Sequence, residues 1–175
     1  MFKKDDLGNR MKTNYEDRTR SLLPRRTYTI IRLDGKAFHT FCKKFQKPFD
    51  ESLISMMDQT AVALCQEIQG AKFAYVQSDE ISILLTDFDS IQTHAWFDGN
   101  MQKMASVSAS IATAAFNYEF TNWTRTWKDK FVNLDNQKQL ARFDSRVFTI
   151  PEATEVENYF IWRQQDASRN SISMV

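Results

Sequence analysis

Two aspartates in this 175-residue chain stand where carboxylates can do chemistry. Asp34 closes the β-branched and aromatic run that starts at Thr27, and Asp79 sits in the three-residue break between two short apolar runs. Hard divalent cations take oxygen ligands, and Mg²⁺ in particular is held by one or two carboxylates, with waters and substrate phosphates completing its shell. Two such ions about 4 Å apart activate an attacking hydroxyl and stabilise a pyrophosphate leaving group, which is the chemistry of nucleotidyl transfer. Asp34-Gly35 and Ser78-Asp79 are also good turn formers, and on residue type alone turn formation is the simpler reading. Basic neighbours add weight to the chemical one, because a nucleoside triphosphate brings several negative charges that need partners. Arg32, Lys36, Lys43, Lys44 and Lys47 surround Asp34 in sequence. Lys43 and Lys44 read as surface charge, whereas Lys47 precedes Pro48, whose ring fixes the backbone beside the amine. Phe38 and His39 offer rings for stacking a base, with core packing the expected fate of Phe38.

The elements that must position these residues follow from hydrophobic spacing. Thr27 to Asp34 suits a strand that ends at the Asp34-Gly35 turn. From Asp50 to Gly70 the positions Leu53, Met56, Met57, Val62, Leu64, Cys65 and Ile68 keep helical spacing, with Asp50 to cap the start and Gly70 to supply a left-handed stop. Ala71 to Val76 and Glu80 to Thr86 are strand-like runs too close together for anything but a hairpin. Phe97 to Phe120 predicts a second helix, Arg146 to Ile150 a short strand, and Glu152 to Met174 a third helix with Pro151 at its first turn. Asp5 to Ser21 predicts a short helix packed at the edge, with Leu7, Met11 and Tyr15 at helical spacing. Thr121 to Arg142 reads as one long polar connection.

This order is that of an α+β ferredoxin-like domain, βαββαβ, with flanking helices, and residues 1–175 read as one domain. Right-handed crossovers place the first strand beside the third and antiparallel to it. The exit of the first strand, at Asp34, then lies next to the entrance of the third, at Asp79 and Glu80. Two carboxylates 45 positions apart meet on one rim of the sheet.

Composition narrows the class. With 23 Lys plus Arg against 22 Asp plus Glu the net charge is +1, so a polyanion site must be a local patch. Arg125, Lys128 and Lys130, interleaved with Trp123 and Trp127, are one candidate, and a solvated loop explains them equally well. Four glycines and three prolines beside 14 phenylalanines ask for a packed core. No apolar run approaches the roughly 20 residues that span a bilayer, and the N-terminus lacks a secretory signal, so a cytoplasmic location with no membrane partner is expected. Cys42 and Cys65 stand alone, without metal-ligand spacing, and read as ordinary reduced thiols.

Four blocks go beyond pattern. "IIRLDGKAFHTF" (Ile30 to Phe41) with "KPFD" (Lys47 to Asp50), "AYVQSDEISILL" (Ala74 to Leu85), "FDSRVFTIP" (Phe143 to Pro151) and "YFIWRQQDASRNSI" (Tyr159 to Ile172) resemble, in order and spacing, the tRNA-histidine guanylyltransferase family. The resemblance implies a polymerase-type palm that extends RNA in the 3′-to-5′ direction with two Mg²⁺ ions. It implies that Asp34, the carbonyl of Gly35 and Asp79 hold the metals. It further implies that the stretch Asp34, Gly35, Lys36, Ala37, Phe38, His39 together with Ser78 lines the triphosphate, that Lys47 and Asp50 lie near the nucleotide, and that Lys103 contacts phosphate. Glu80 matches the family's acidic residue after the second ligand and joins Asp34 and Asp79 as a catalytic candidate. The implied partners are tRNA, ATP, GTP and other nucleoside triphosphates, and a homo-oligomer, commonly a tetramer. The implied reaction activates a 5′-monophosphate with ATP, lets the 3′-hydroxyl of an incoming nucleotide attack it, and removes a terminal pyrophosphate.

Departures from the family set the branch. After the "WRQ" block and Asp166, eukaryotic members carry His-Ile-Asn-Asn-Leu-Tyr-Asn, whereas this chain reads Ala167, Ser168, Arg169, Asn170, Ser171, Ile172, with only Asn170 in register. That favours template-dependent repair of truncated tRNA over untemplated guanylate addition to histidine tRNA. Family members usually continue with further helical structure beyond the point matching Val175, so the family's C-terminal helical part is expected to lie outside this sequence. Two other functions share the same residues: a palm that binds RNA or nucleotide without chemistry, and a nucleotidyl cyclase of similar topology.

Overall fold

The computed structural model describes residues 5–47, 49–126 and 140–173. Strand β1 (Tyr28–Gly35), helix α3 (Glu51–Glu67), strands β2 (Ala71–Gln77) and β3 (Glu80–Leu85), helix α4 (Met101–Thr126) and strand β4 (Phe143–Ile150) follow the βαββαβ order, with α1 (Asp6–Met11), α2 (Phe38–Phe41) and α5 (Ala153–Ser173) added to it. The sheet runs β2-β3-β1-β4, every neighbour antiparallel. This is the ferredoxin-like palm expected from the sequence.

Strand alternation sorts the two faces. Ile31 and Leu33 of β1, and Ile81, Ile83 and Leu85 of β3, point into the core under α3 and α4, where Met57, Leu64, Ala112 and Phe116 cover them. Arg32 and Asp34 take the opposite face, as do Glu80 and Ser82. Helix α5 lies across that second face. Its Tyr159 hydroxyl meets Ser82 Oγ at 2.8 Å, its Tyr159 ring packs on Phe148 of β4 at 5.7 Å, and Phe160 packs on Phe73 of β2 at 5.0 Å.

Local chemistry explains the ends of α3. Asp50 accepts from the backbone amides of Ser52 and Leu53, which satisfies two of the helix's orphan donors. Gly70 takes φ +84°, and a Cβ there would stand 2.5 Å from the Thr86 carbonyl oxygen, so only glycine joins the helix to β2 this closely.

Four expectations shift. The second helix starts at Met101 rather than Phe97, because Trp96–Gly99 forms a 3₁₀ turn in which Phe97 and Asp98 adopt left-handed φ. It also continues to Thr126, so the start of the predicted Thr121 to Arg142 connection is helical. The third helix starts at Ala153, with the Glu152 carbonyl accepting from Val156, which leaves Pro151 just before the helix rather than in its first turn. The N-terminal segment forms α1, a π turn over Lys12–Glu16 and a 3₁₀ turn over Asp17–Thr19, but it is not packed at an edge: Leu7, Met11 and Tyr15 are all exposed. Its apolar stripe is too short and too charged on either side to displace water from the sheet.

Candidate active site

Pairing of β1 with β3 brings the predicted acids together. Asp34 lies opposite Glu80 in the register, and the Gly35 amide donates to the Asp79 carbonyl oxygen at 3.0 Å. Asp79 sits in a two-residue turn between Gln77 and Glu80, and Ser78, the other turn residue, takes a left-handed φ of 51°. A non-glycine residue holds that conformation only where its surroundings insist on it.

The Asp79 carboxyl is pushed above its ordinary range, first by burial and then by the negative charges of Asp34 and Glu80, while its own amide and the Ser78 hydroxyl pull the other way. Two carboxylates that repel each other in a partly desolvated rim are the condition a divalent cation relieves. Two carboxylates and a neighbouring backbone carbonyl are also the hard-oxygen donors Mg²⁺ prefers, so the residues present fit the ion. Among the described residues no larger group of His, Cys, Asp and Glu side chains gathers at ligating distance.

Glu80 has a different environment from its two neighbours. It is 5% exposed and its carboxylate is already engaged: Arg163 donates through Nε to Oε1 at 2.8 Å and through Nη2 to Oε2 at 2.9 Å, and Arg32 Nη2 reaches Oε2 at 2.6 Å. Ser82 Oγ donates to Oε1 at 3.4 Å. Arg163, 4% exposed, also donates to Asp166 at 2.9 Å. Burial alone would lower its pKa, yet the bonds to Glu80 and the charges of Glu80 and Asp166 outweigh that and raise it. Glu80 is thus joined to Asp34 and Asp79 in space but committed to guanidinium groups.

The segment after β1 turns back over the rim. Lys36 donates its amide to the Arg142 carbonyl at 2.8 Å, Ala37 takes a left-handed φ of 57°, and α2 begins at Phe38 with no side-chain cap. Lys36, Ala37 and His39 are exposed there. Phe38 is not available for base stacking. Its ring is buried among Phe41, Phe116 and Phe143, and it lies so close to Gly35 that a Cβ on that glycine would stand 2.3 Å from it.

Lys47 is exposed, and Pro48 lies outside the described residues. Asp50 spends both oxygens on backbone, one on the α3 cap and the other on the Gln46 amide at 2.9 Å, so it shapes the segment that carries Lys47. Lys103 is not brought to the rim. It lies in the first turn of α4, next to Met104, which lines a cavity with Leu23, Thr29 and Leu85 at the other end of the sheet. Thr113 of the same helix bonds the Phe143 amide at the Asp34 end, ten residues and about 15 Å further along. Of the candidate basic patch, Arg125 is exposed and Trp123 packs on Phe45 and Phe120, whereas Trp127, Lys128 and Lys130 lie outside the described residues.

Sequence reading missed Asp144, Arg163 and Tyr159. Starting the last strand at Arg146 hid Asp144; with β4 starting at Phe143, Asp144 stands directly opposite Asp34 on the side away from Glu80. The alternation in "FDSRVFTI" carried that signal. No local pattern could announce Arg163, whose partner is 83 residues away.

Known proteins resemble this chain in sequence and fold. The family described as "Thg1: tRNAHis guanylyltransferase" matches residues 8–151. A bacterial tRNA(His) guanylyltransferase (Thg1)-like protein, solved in complex with GTP, is 50% identical and superimposes with a TM-score of 0.83, covering 97% of this chain and 75% of that one. The tRNA(His) guanylyltransferase of Saccharomyces cerevisiae is 27% identical with a TM-score of 0.70, over 89% of this chain and 64% of its own. The corresponding protein of Debaryomyces hansenii is 33% identical over 158 residues, which are 89% of this chain. The chain spans 55% of that relative's length.

Proposed function

The chain belongs to the tRNA-histidine guanylyltransferase family, and from that premise we propose that it is a nucleotidyltransferase that extends the 5′ end of truncated tRNA in the 3′-to-5′ direction, copying the opposite strand. The observation that carries this reading is the meeting of Asp34 and Asp79 at one rim through β1–β3 pairing, tied by the Gly35 to Asp79 bond.

In this reading Asp34, the Gly35 carbonyl and Asp79 hold two Mg²⁺ ions. Ions bound there polarise phosphoryl oxygens and lower the pKa of the attacking 3′-hydroxyl. The protein's own groups bind and orient. The backbone from Asp34 to His39, with Ser78, lines the triphosphate; the uncapped first turn of α2 leaves amide donors for its oxygens. Lys36 and Lys47 offset charge on the phosphates, and Asp50, by accepting from the Gln46 amide, fixes the approach of Lys47. Lys103 stands too far along α4 to join them within one protomer, so this reading does not place it on the triphosphate; by family resemblance the protein is a homo-oligomer, a tetramer. ATP transfers its adenylyl group to a 5′-monophosphate and releases pyrophosphate, the 3′-hydroxyl of the incoming nucleotide attacks that 5′-phosphate and displaces AMP, and water then removes the terminal pyrophosphate of the added nucleotide, in the cytoplasm.

The divergent Ala167 to Ile172 block supports the templated branch. The test is a gel assay on a tRNA lacking its first nucleotide, with Mg²⁺, ATP and each nucleoside triphosphate singly. Addition of only the nucleotide complementary to the opposing base supports the proposal. Addition of guanylate whatever the template makes the protein a histidine-tRNA guanylyltransferase, and no addition at all leaves a binding-only palm.

A further inference from the structure

Asp79 sits in a turn with a strained residue, and both legs of that turn end on one side chain of α5. On the β3 leg, Glu80 receives two parallel bonds from the Arg163 guanidinium. On the β2 leg, Gln77, oriented so that each amide atom meets a complementary partner, donates to the Arg163 carbonyl at 2.6 Å and accepts from Arg163 Nη2 at 2.8 Å. Gln77 and Glu80 are themselves the closing pair of the hairpin. Ser78, between them, keeps a left-handed φ of 51° that a non-glycine residue holds only when its surroundings impose it, so the turn needs external ties to persist.

We propose that Arg163 is a positioning residue: by gripping Gln77 and Glu80 together it holds the Ser78–Asp79 turn, and so sets the Asp79 carboxylate beside Asp34 for metal binding. The inference rests on the metal reading given above. It assigns Glu80 a part in the grip rather than in direct ligation, because each of its oxygens already accepts from Arg163 and one also from Arg32. Bidentate arginine–carboxylate pairing restricts orientation as well as distance, which a lysine at the same place would not do. Helix α5 thereby acts on a site to which it contributes no ligand.

The two roles for Glu80 predict opposite effects on metal affinity, and affinity is measurable without turnover. The experiment titrates Mn²⁺ into wild type, Arg163→Gln, Arg163→Lys, Glu80→Gln, the Arg163→Gln/Glu80→Gln double variant and Asp79→Asn, reading free Mn²⁺ by electron paramagnetic resonance. Positioning predicts that Arg163→Gln and Glu80→Gln each weaken binding by about tenfold or more, that Arg163→Lys does not restore it, and that the double variant is no weaker than the singles. If Glu80 is instead a ligand held in reserve, Arg163→Gln frees a carboxylate and tightens Mn²⁺ binding; that result, or no change, overturns the proposal. Should Arg163→Gln fail to fold, Gln77→Met removes the uncharged leg while leaving the buried ion pair, and its weaker Mn²⁺ binding is then the expected result and unchanged binding the contrary one. Asp79→Asn separates the two layers: loss of Mn²⁺ binding there with no effect of Arg163→Gln sinks only the Arg163 role, whereas unchanged binding in Asp79→Asn sinks the metal reading and this proposal together.

Discussion

The carbonyl oxygen of Asp79 accepts a hydrogen bond from the amide of Gly35 at 3.0 Å, so the residue after one acid of the site is tied to the backbone of the other. That single bond extends the β1–β3 ladder past Asp34 and Glu80 and fixes how far apart the two carboxylates can drift. Its electrostatic consequence is a repelling pair, which makes the metal-free protein sensitive to pH.

Asp79 gives that sensitivity a sign. Its carboxyl is raised by burial first and by the charges of Asp34 and Glu80 next. A carboxyl whose pKa is higher in the folded state stabilises the fold fully below its unfolded pKa, near 4, and that contribution is lost as pH rises through the folded value. In metal-free protein the unfolding free energy of wild type minus that of Asp79→Asn therefore falls as pH rises from about 4 to 7. Urea denaturation in the presence of a chelator measures it, and a difference that climbs over that interval contradicts the assignment.

Gly35→Ala drives a methyl into the Phe38 ring, since a Cβ there would stand 2.3 Å from it. The ring is held by Phe41, Phe116 and Phe143 and cannot swing away freely. Overpacking of this kind costs about 1–3 kcal/mol and shifts the 36–39 segment that lines the site. Thermal unfolding should show the loss, and Phe38→Leu in the same background should recover part of it; strictly additive losses would mean that the clash is relieved elsewhere.

Asp50→Ala removes the α3 cap and the acceptor for Gln46, with an expected loss of about 1–2 kcal/mol. Asparagine caps nearly as well as aspartate, so Asp50→Asn should keep most of the stability. Chemical denaturation decides this. Equal losses in the two variants would show that the charge of Asp50, rather than its cap geometry, matters to the fold.

Tyr159→Phe deletes the hydroxyl that meets buried Ser82 on the face covered by α5. The expected cost is about 1 kcal/mol, because Ser82 keeps only its longer contact to Glu80. Denaturant unfolding with an unchanged m-value is the expected form of the result, and a loss within error would show that the hydroxyl pair adds nothing to the docking of α5 beyond its ring contacts and the Arg163–Glu80 pair.

Much of this site was legible in the sequence because its logic is local and periodic. The β-branched and aromatic run of Thr27 to Asp34, the apolar run of Glu80 to Thr86, the shortness of the Gln77–Glu80 connection and the right-handed crossover rule were enough to place Asp34 beside Asp79. The Asp50 cap and the Gly70 stop are read from single residues whose preferences are strong. What escaped is long-range or context-dependent. Arg163 meets Glu80 across 83 positions, and no spacing rule anticipates a buried ion pair. Phe97 and Asp98 take left-handed φ against their own preference, which delayed α4 by four residues. The stripe of Leu7, Met11 and Tyr15 has helical spacing but no apolar surface to meet, so periodicity there predicted the helix and not its packing.

The most direct test of the central claim compares 5′ extension of one truncated tRNA, with Mg²⁺, ATP and the template-complementary nucleotide, by wild type, Asp34→Asn and Asp79→Asn, each shown by circular dichroism to be folded. The account predicts extension by wild type and none above background by either variant, since each removes one of the two carboxylates that must act together. Full Mg²⁺-dependent extension by either folded variant would contradict it.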